Sequence, residues 1–176
     1  MKTIYRVLAN LFVCGLCCAA AYADNTPGPF TFTLGNSYID FSSKRHLNNA
    51  NAPFGALGFT LTPHVDVEGL LGFFTTRSGL PVDEDRSITG SLFMLDVIYR
   101  FSPYGCIVPY LLAGPGFLSM HPNGTNPDTE GNVNGGAGVD LLISNQIAFR
   151  LEARDMYTIN GGKQDLLFNG GVSILF

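Results

Sequence analysis

Beyond residue 23 the sequence has no apolar run approaching 18 residues, so no later segment is long and apolar enough to span a bilayer as a helix. Cysteine is also nearly missing where it would matter. Cys14, Cys17 and Cys18 crowd the start of the chain and leave Cys106 alone, which excludes an internal disulfide in the remainder and any cysteine metal cluster. Charged residues make up only 14% of the chain, acids outnumber bases 14 to 10, and no basic run occurs, so the electrostatic footprint of a nucleic-acid binder is absent. Apart from the strand periodicity described below, there is no internal repeat and no low-complexity tract.

What is present begins with an export pattern. Lys2 and Arg6 precede an apolar stretch from Val7 to Ala21, and Ala21-Tyr22-Ala23 offers a small-x-small cleavage site before Asp24. The stretch is shorter than the ~20 residues of a spanning helix, so residues 1–23 are expected to be a cleaved signal peptide and residues 24–176 a single mature domain. The residues ahead of the three early cysteines lack the small-residue approach of a lipoprotein cut. Losing Lys2 and Arg6 makes the mature chain more acidic than the −4 of the whole.

Hydrophobic content is nonetheless high, at 46%, and Gly is abundant. A chain of this kind can enter a membrane only as a closed β-barrel, because backbone groups in hydrocarbon must be satisfied internally. Eight segments show the required period of two: Pro29–Tyr38, Phe54–Thr62, Val65–Thr75, Ser91–Phe101, Ile107–Leu118, Val133–Ile143, Ile147–Tyr157 and Asp165–Phe176. In the fourth, Phe93, Leu95, Val97, Tyr99 and Phe101 share one phase while Asp96 and Arg100 share the other. In the seventh, Ile147, Phe149 and Leu151 oppose Arg150, Glu152 and Arg154, three charges on one strand face. Each segment approximates the ~9–11 residues that a tilted strand needs to cross a bilayer.

The connections alternate in length. Loops 41–53, 76–90, 119–132 and 158–164 are long and polar or rich in Gly and Pro, whereas residues 62–64, 102–106 and 144–146 form short turns. That alternation predicts an eight-stranded antiparallel up-and-down barrel, all-β, with both chain ends on the short-turn side.

Period alone does not say which phase faces inward. A soluble, lipocalin-like lipid carrier would turn the apolar phase inward around a ligand, whereas a transmembrane barrel turns it toward lipid. The strand charges come with both signs, Asp66, Glu68, Asp96, Asp140 and Glu152 with Arg100, Arg150 and Arg154, which suits a paired network inside a narrow lumen. Gly58, Gly72, Gly114, Gly116, Gly136, Gly138 and Gly171 fall in the same phase and leave room for long side chains. Phe30, Tyr38, Phe54, Phe101, Phe117, Tyr157 and Phe176 stand at strand ends, where aromatic girdles are expected. The transmembrane arrangement is therefore the expectation.

The last residues, Asn169-Gly170-Gly171-Val172-Ser173-Ile174-Leu175-Phe176, resemble the terminal insertion signal of outer-membrane barrels, with Asn169, Gly171, Ile174 and Phe176 at the characteristic spacing. Leu95-Asp96-Val97-Ile98-Tyr99-Arg100-Phe101, Pro109–Gly116, Gly136-Ala137-Gly138-Val139-Asp140 and Ala148–Arg154 resemble the OmpA-type transmembrane domain and related small bacterial outer-membrane barrels across most of the mature chain. The resemblance implies location in the bacterial outer membrane with both barrel ends periplasmic. It also implies contact with outer-membrane lipid and lipopolysaccharide, and delivery by the barrel assembly machinery. The family's peptidoglycan-binding domain has no counterpart here, so wall anchoring is not carried over. Pro115 lies within a strand, where a missing N–H predicts a bulge or an early end.

Catalytic patterns are missing. His46, His64 and His121 fall in loops or turns, and none stands in a His-x-Ser pattern such as lipid A deacylase barrels contain. Asp83-Glu84-Asp85 and the pair Asp128 and Glu130 lack the ligand spacing of a calcium site and read as solvated loop charge. No catalytic, cofactor or metal residues are assigned. The expected function is a non-enzymatic outer-membrane barrel that contributes to envelope structure and presents its four long loops to a host or surface ligand. The alternatives are a lipid-modifying outer-membrane enzyme and the soluble carrier.

Overall fold

A computed structural model describes residues 28–78, 87–122 and 128–176. The expected signal segment and Asp83-Glu84-Asp85 lie outside them. Eight strands, β1 (Phe30–Asp40), β2 (Ala50–Thr62), β3 (Val65–Arg77), β4 (Ser87–Arg100), β5 (Ile107–Pro122), β6 (Asp128–Leu142), β7 (Ile147–Thr158) and β8 (Lys163–Leu175), pair with their neighbours in chain order. Every pairing is antiparallel, and β8 returns to β1 to close the barrel. Closure is completed by reciprocal backbone bonds, Phe30 N to Phe176 O at 3.0 Å and Phe176 N to Phe30 O at 2.9 Å. The near rim carries the short turns and the C-terminus; the far rim carries the long connections.

The strands run from 11 to 16 residues; all but β1 exceed the ~9–11 that a bilayer crossing needs, and the excess lies at the far rim. β2 begins at Ala50, β3 reaches Arg77, β4 starts at Ser87, β5 continues to Pro122 and β6 starts at Asp128. The expected loops 41–53, 76–90, 119–132 and 158–164 are correspondingly shorter than the sequence reading placed them. The reason is an exchange of phases. On β3 the outward residues run Val67, Leu71, Phe73, Thr75, Arg77 while the inward ones run Asp66, Glu68, Leu70, Phe74. The period of two never breaks, but past Phe73 the outward face is polar, Thr75 and Arg77, while the inward face carries Phe74 and Thr76. A search for an apolar lipid-facing stripe stops there, although the hydrogen-bonded ladder does not.

Two further expectations need correction. Pro115 causes neither a bulge nor a strand end. β5 pairs with β6 straight through Pro115↔Val133, and its register with β4 is the same before and after Leu95 and Asp96, where pairing lapses for two residues. One interruption in the β4 ladder absorbs the missing donor. Phe54 is not a girdle residue, because β2 extends beyond it and its phase points inward; its buried ring lies over Gly35. The other six proposed girdle aromatics are outward and exposed.

Candidate functional site: a lumen filled in two layers

The inward side chains nearest the near rim form a charged layer. β7 supplies Arg150, Glu152 and Arg154 because residues two apart share a strand face, and β3, β4 and β6 supply the facing acids in the same way. Arg150 donates from Nη1 to Glu68 Oε2 at 2.5 Å and from Nε to Asp140 Oδ1 at 3.0 Å. Arg100 bridges Asp66 and Asp140, and Arg154 bridges Asp96 and Glu152 with Glu68 Oε1 at 3.8 Å. The structure thus brings the eight charges expected in the lumen into one continuous network, three guanidinium groups among five carboxylates.

Neutral groups extend it. Tyr110 donates its hydroxyl to Glu152 at 2.8 Å, and its ring lies 5.4 Å from the Arg150 guanidinium carbon and 5.7 Å from that of Arg100. Asn134 donates to Asp96 at 2.8 Å and Asn169 to Glu152 at 2.7 Å. In low dielectric an unpaired charge is very costly, so arginine, with its fixed fork of donors, is the cation that can serve several acids at once. A side chain at Gly138 could not be accommodated, because its Cβ would lie 2.3 Å from the Tyr110 ring.

Toward the far rim the inward residues become apolar. Ile39, Leu70, Phe74, Leu92, Met94, Leu118, Met156 and Leu167 pack in one buried cluster with Phe41 and Phe54. The Phe41 and Phe74 rings lie 5.5 Å apart, and Gly90 leaves the space that the Phe74 ring fills. Asn132 is buried in this half, and neither atom of its amide makes a hydrogen bond among the described residues.

The β1–β2 connection closes the far mouth. After the short 3₁₀ turn Ser43–Arg45, His46 takes a left-handed conformation (φ 53°), and the chain crosses to β3 through a bridge between Leu47 and Ser78 and a bond from Asn48 N to Arg77 O at 3.1 Å. Arg45 points down into the mouth, with its side chain 1% exposed. Its Nε bonds both Asp165 oxygens at 2.8 and 3.0 Å, Nη1 reaches Glu130 at 2.5 Å, and Nη2 reaches Thr158 at 2.6 Å. Lys163 also pairs with Glu130, and Ser42 N donates to Asp165 at 2.8 Å.

Sequence reasoning missed this cap. Glu130 is buried and ion-paired, not solvated loop charge, because β6 already includes it. A signal was available: Glu130 and Asp165 continue the inward phases of β6 and β8, and inward acids at a rim require a cation from a neighbouring loop.

The other singled-out residues are dispersed. Asn169 and Gly171 face inward, Asn169 accepting from Ser37 at 2.5 Å, whereas Ile174 and Phe176 face outward. His46 and His121 lie at the far rim and His64 at the near rim, where its Nδ1 is 3.0 Å from the Arg100 carbonyl. Cys106 is a half-buried free thiol in a near-rim turn. Among the described residues no three His, Cys, Asp or Glu side chains converge as a metal site.

A barrel with this closed topology and an apolar outer band matches the outer membrane protein β-barrel domain family over residues 10–175. The chain belongs to that family. Its place is accordingly the bacterial outer membrane. Solved structures with the same fold include Neisserial surface protein A (TM-score 0.70, 13% identity, 86% of this chain and all of that one). The N-terminal barrel domain of Pseudomonas aeruginosa OprF gives 0.59 at 18% identity, covering 85% and 99%. The attachment invasion locus protein Ail of Yersinia pestis gives 0.57 at 15%, also covering 85% and 99%. No curated protein matches the chain as a relative.

Proposed function

We propose that this outer-membrane barrel is non-enzymatic, contributes to envelope structure, and presents its far rim to the outside with both barrel ends periplasmic. The filled lumen is the observation that supports this reading. A paired charge network occupies one half, an apolar cluster the other, and Arg45 pins a loop across the mouth. A barrel so filled offers no wide path for solutes, and its capacity for interaction lies on its outer surfaces. Residues 1–23 act in this reading as the export signal, and Asn169, Gly171, Ile174 and Phe176 as the mark read by the assembly machinery before β8 closes on β1.

Ail has also been seen with a heparin analogue. The acidic balance of the present chain argues against a polyanion as its surface ligand. The lipid-modifying alternative would draw on His46, His121 and Ser119, yet Ser119 Oγ pairs with Thr129 Oγ1 at 3.1 Å on the outer face.

The test has two measurements. The barrel, extracted from the outer membrane as a heat-modifiable band, is expected to give no steady conductance in planar bilayers. Lipid A from cells with and without it is expected to carry the same acyl chains. A stable conductance step would overturn the filled-lumen reading, and altered acylation would overturn the non-enzymatic one.

A further inference from the structure

The charged layer is not neutral. Three guanidinium groups face five carboxylates, so the near-rim half of the lumen holds a surplus of two negative charges on side chains that are each at most 18% exposed. In low dielectric such a surplus is costly unless a cation or a proton offsets it. It is also unevenly placed. All three arginines stand on β4 and β7, whereas the inward near-rim residues of β8, β1 and β2, Ser173, Thr31, Thr33, Gly58 and Thr60 among them, carry no positive charge. β3 lies between β2 and β4, and its two acids are the ones left incompletely bonded. Asp66 Oδ1 and Glu68 Oε1 are buried and make no hydrogen bond among the described residues, whereas every carboxylate oxygen of Asp96, Asp140 and Glu152 accepts at least one. Arg150 Nη2 is likewise without a hydrogen bond there, but pairing it would leave the surplus unchanged.

Those two acids border a space lined by hydroxyls. Asp66 pairs across the β2–β3 ladder with Thr60, and Glu68 pairs with Gly58, which in turn pairs with Thr31 of β1. A Cβ at Gly58 would lie 3.5 Å from Thr31 Cβ and 3.7 Å from Glu68 Oε2, both ordinary contacts, and the residue has no positive φ. Neither crowding nor backbone conformation therefore requires glycine there. Gly114 differs, because a Cβ on it would lie 2.0 Å from the Leu95 carbonyl oxygen. What Gly58 provides is room beside carboxylate and hydroxyl oxygens that no cation of the protein faces, and oxygen ligands of this kind suit a hard cation.

We propose that the near-rim lumen binds one divalent hard cation of the calcium class beside Gly58, held by Asp66 and Glu68, with the hydroxyls of Thr31 and Thr60 and water completing its shell. One such ion offsets the surplus of two charges. Two carboxylates are a sparse ligand set, so the affinity belongs to the range of about 10⁻⁴–10⁻³ M found at weak extracellular sites. The ion enters from the near rim, where Thr60 is half-buried. The proposal does not depend on which rim faces outward.

The mature chain, folded in lipid-free zwitterionic detergent and checked by its heat-modifiable band, is stripped with chelator and dialysed against radioactive calcium in choline chloride at fixed ionic strength. Saturable binding is expected, and Asp66→Asn is expected to remove one ion per barrel or to raise its half-saturating concentration at least tenfold. Gly58→Val, which fills the space without changing any charge, is expected to do the same and keeps the test if the first variant does not fold. Asp155→Asn, which removes an exposed acid of the outer wall, should bind as the parent does. Calcium is also expected to raise the urea midpoint of the parent and not that of Gly58→Val. Three results would overturn the proposal: parental binding in both lumen variants, a midpoint raised equally by sodium chloride at matched ionic strength, or an equal rise in chelator at pH 5. The first places the ion elsewhere, the second shows screening alone, and the third shows that protons offset the surplus.

Discussion

The two halves of this barrel are built from the same strands in opposite senses. Near the chain ends, Phe93, Leu95, Val97 and Tyr99 of β4 face outward while Asp96 faces the lumen. Toward the far rim, Ser91 and Thr89 face outward while Leu92 and Ile88 face inward. The first arrangement suits hydrocarbon outside and a paired interior; the second suits water outside and an apolar core, as in a soluble barrel. Hydrogen bonding does not distinguish them, since the ladder runs unbroken between β3 and β4 from Val65↔Tyr99 to Arg77↔Ser87. Solvent, and not strand pairing, sets the polarity of each face.

The charged half is expected to be the more sensitive to a single truncation. Arg154→Ala leaves Asp96, Glu152 and Glu68 facing one another without their shared cation, and stability measured by urea titration in detergent should fall by about 3–5 kcal/mol. An unchanged midpoint would show that water, not arginine, satisfies those acids.

The apolar half should respond by packing instead. Phe74→Ala, which empties the space above Gly90, should cost about 3 kcal/mol. Phe73→Ala, one residue away but outward, should cost less because lipid chains fill the gap. Equal costs would mean that the inward cluster is not a packed core.

The cap joins the halves to the outside. Arg45→Ala should destabilise by about 2 kcal/mol, the scale of hydrogen bonds to charged groups, and should free the loop. Trypsin added to intact cells is then expected to cut after Lys44 in the variant and not in the parent; protection in both would place the far rim on the other side of the membrane.

The smallest effect concerns the boundary between the layers. Asn132→Leu removes a buried amide that makes no hydrogen bond among the described residues and is expected to stabilise the barrel by about 1 kcal/mol in the same urea titration. Destabilisation would show that the amide has a role that its protein neighbours do not reveal.

Much of the architecture was legible because membrane strands report themselves through alternation. Eight segments, their order and the short near-rim turns follow from period and spacing, and the inward positions of Asp66, Glu68, Asp96, Arg100, Asp140, Arg150, Glu152 and Arg154 follow once their paired signs turn that phase toward the lumen. Phe54 was misplaced because an aromatic residue near a strand end looks the same inside a lumen as in a girdle. The cation of the cap was hidden for another reason, although the inward phase of its two acids was legible. Arg45 lies 85 residues from Glu130 and 120 from Asp165, and nothing local to any of the three specifies the others.

By itself, then, the sequence determined the number of strands, their antiparallel order and which side chains of a strand share a face, since a period of two is a local property of the extended backbone. Tertiary structure alone decided which acid meets which arginine, where the interior changes from charged to apolar, and how Arg45 closes the mouth. Those outcomes depend on the register and stagger with which eight strands close on one another, and on distances across a lumen that no single strand contains.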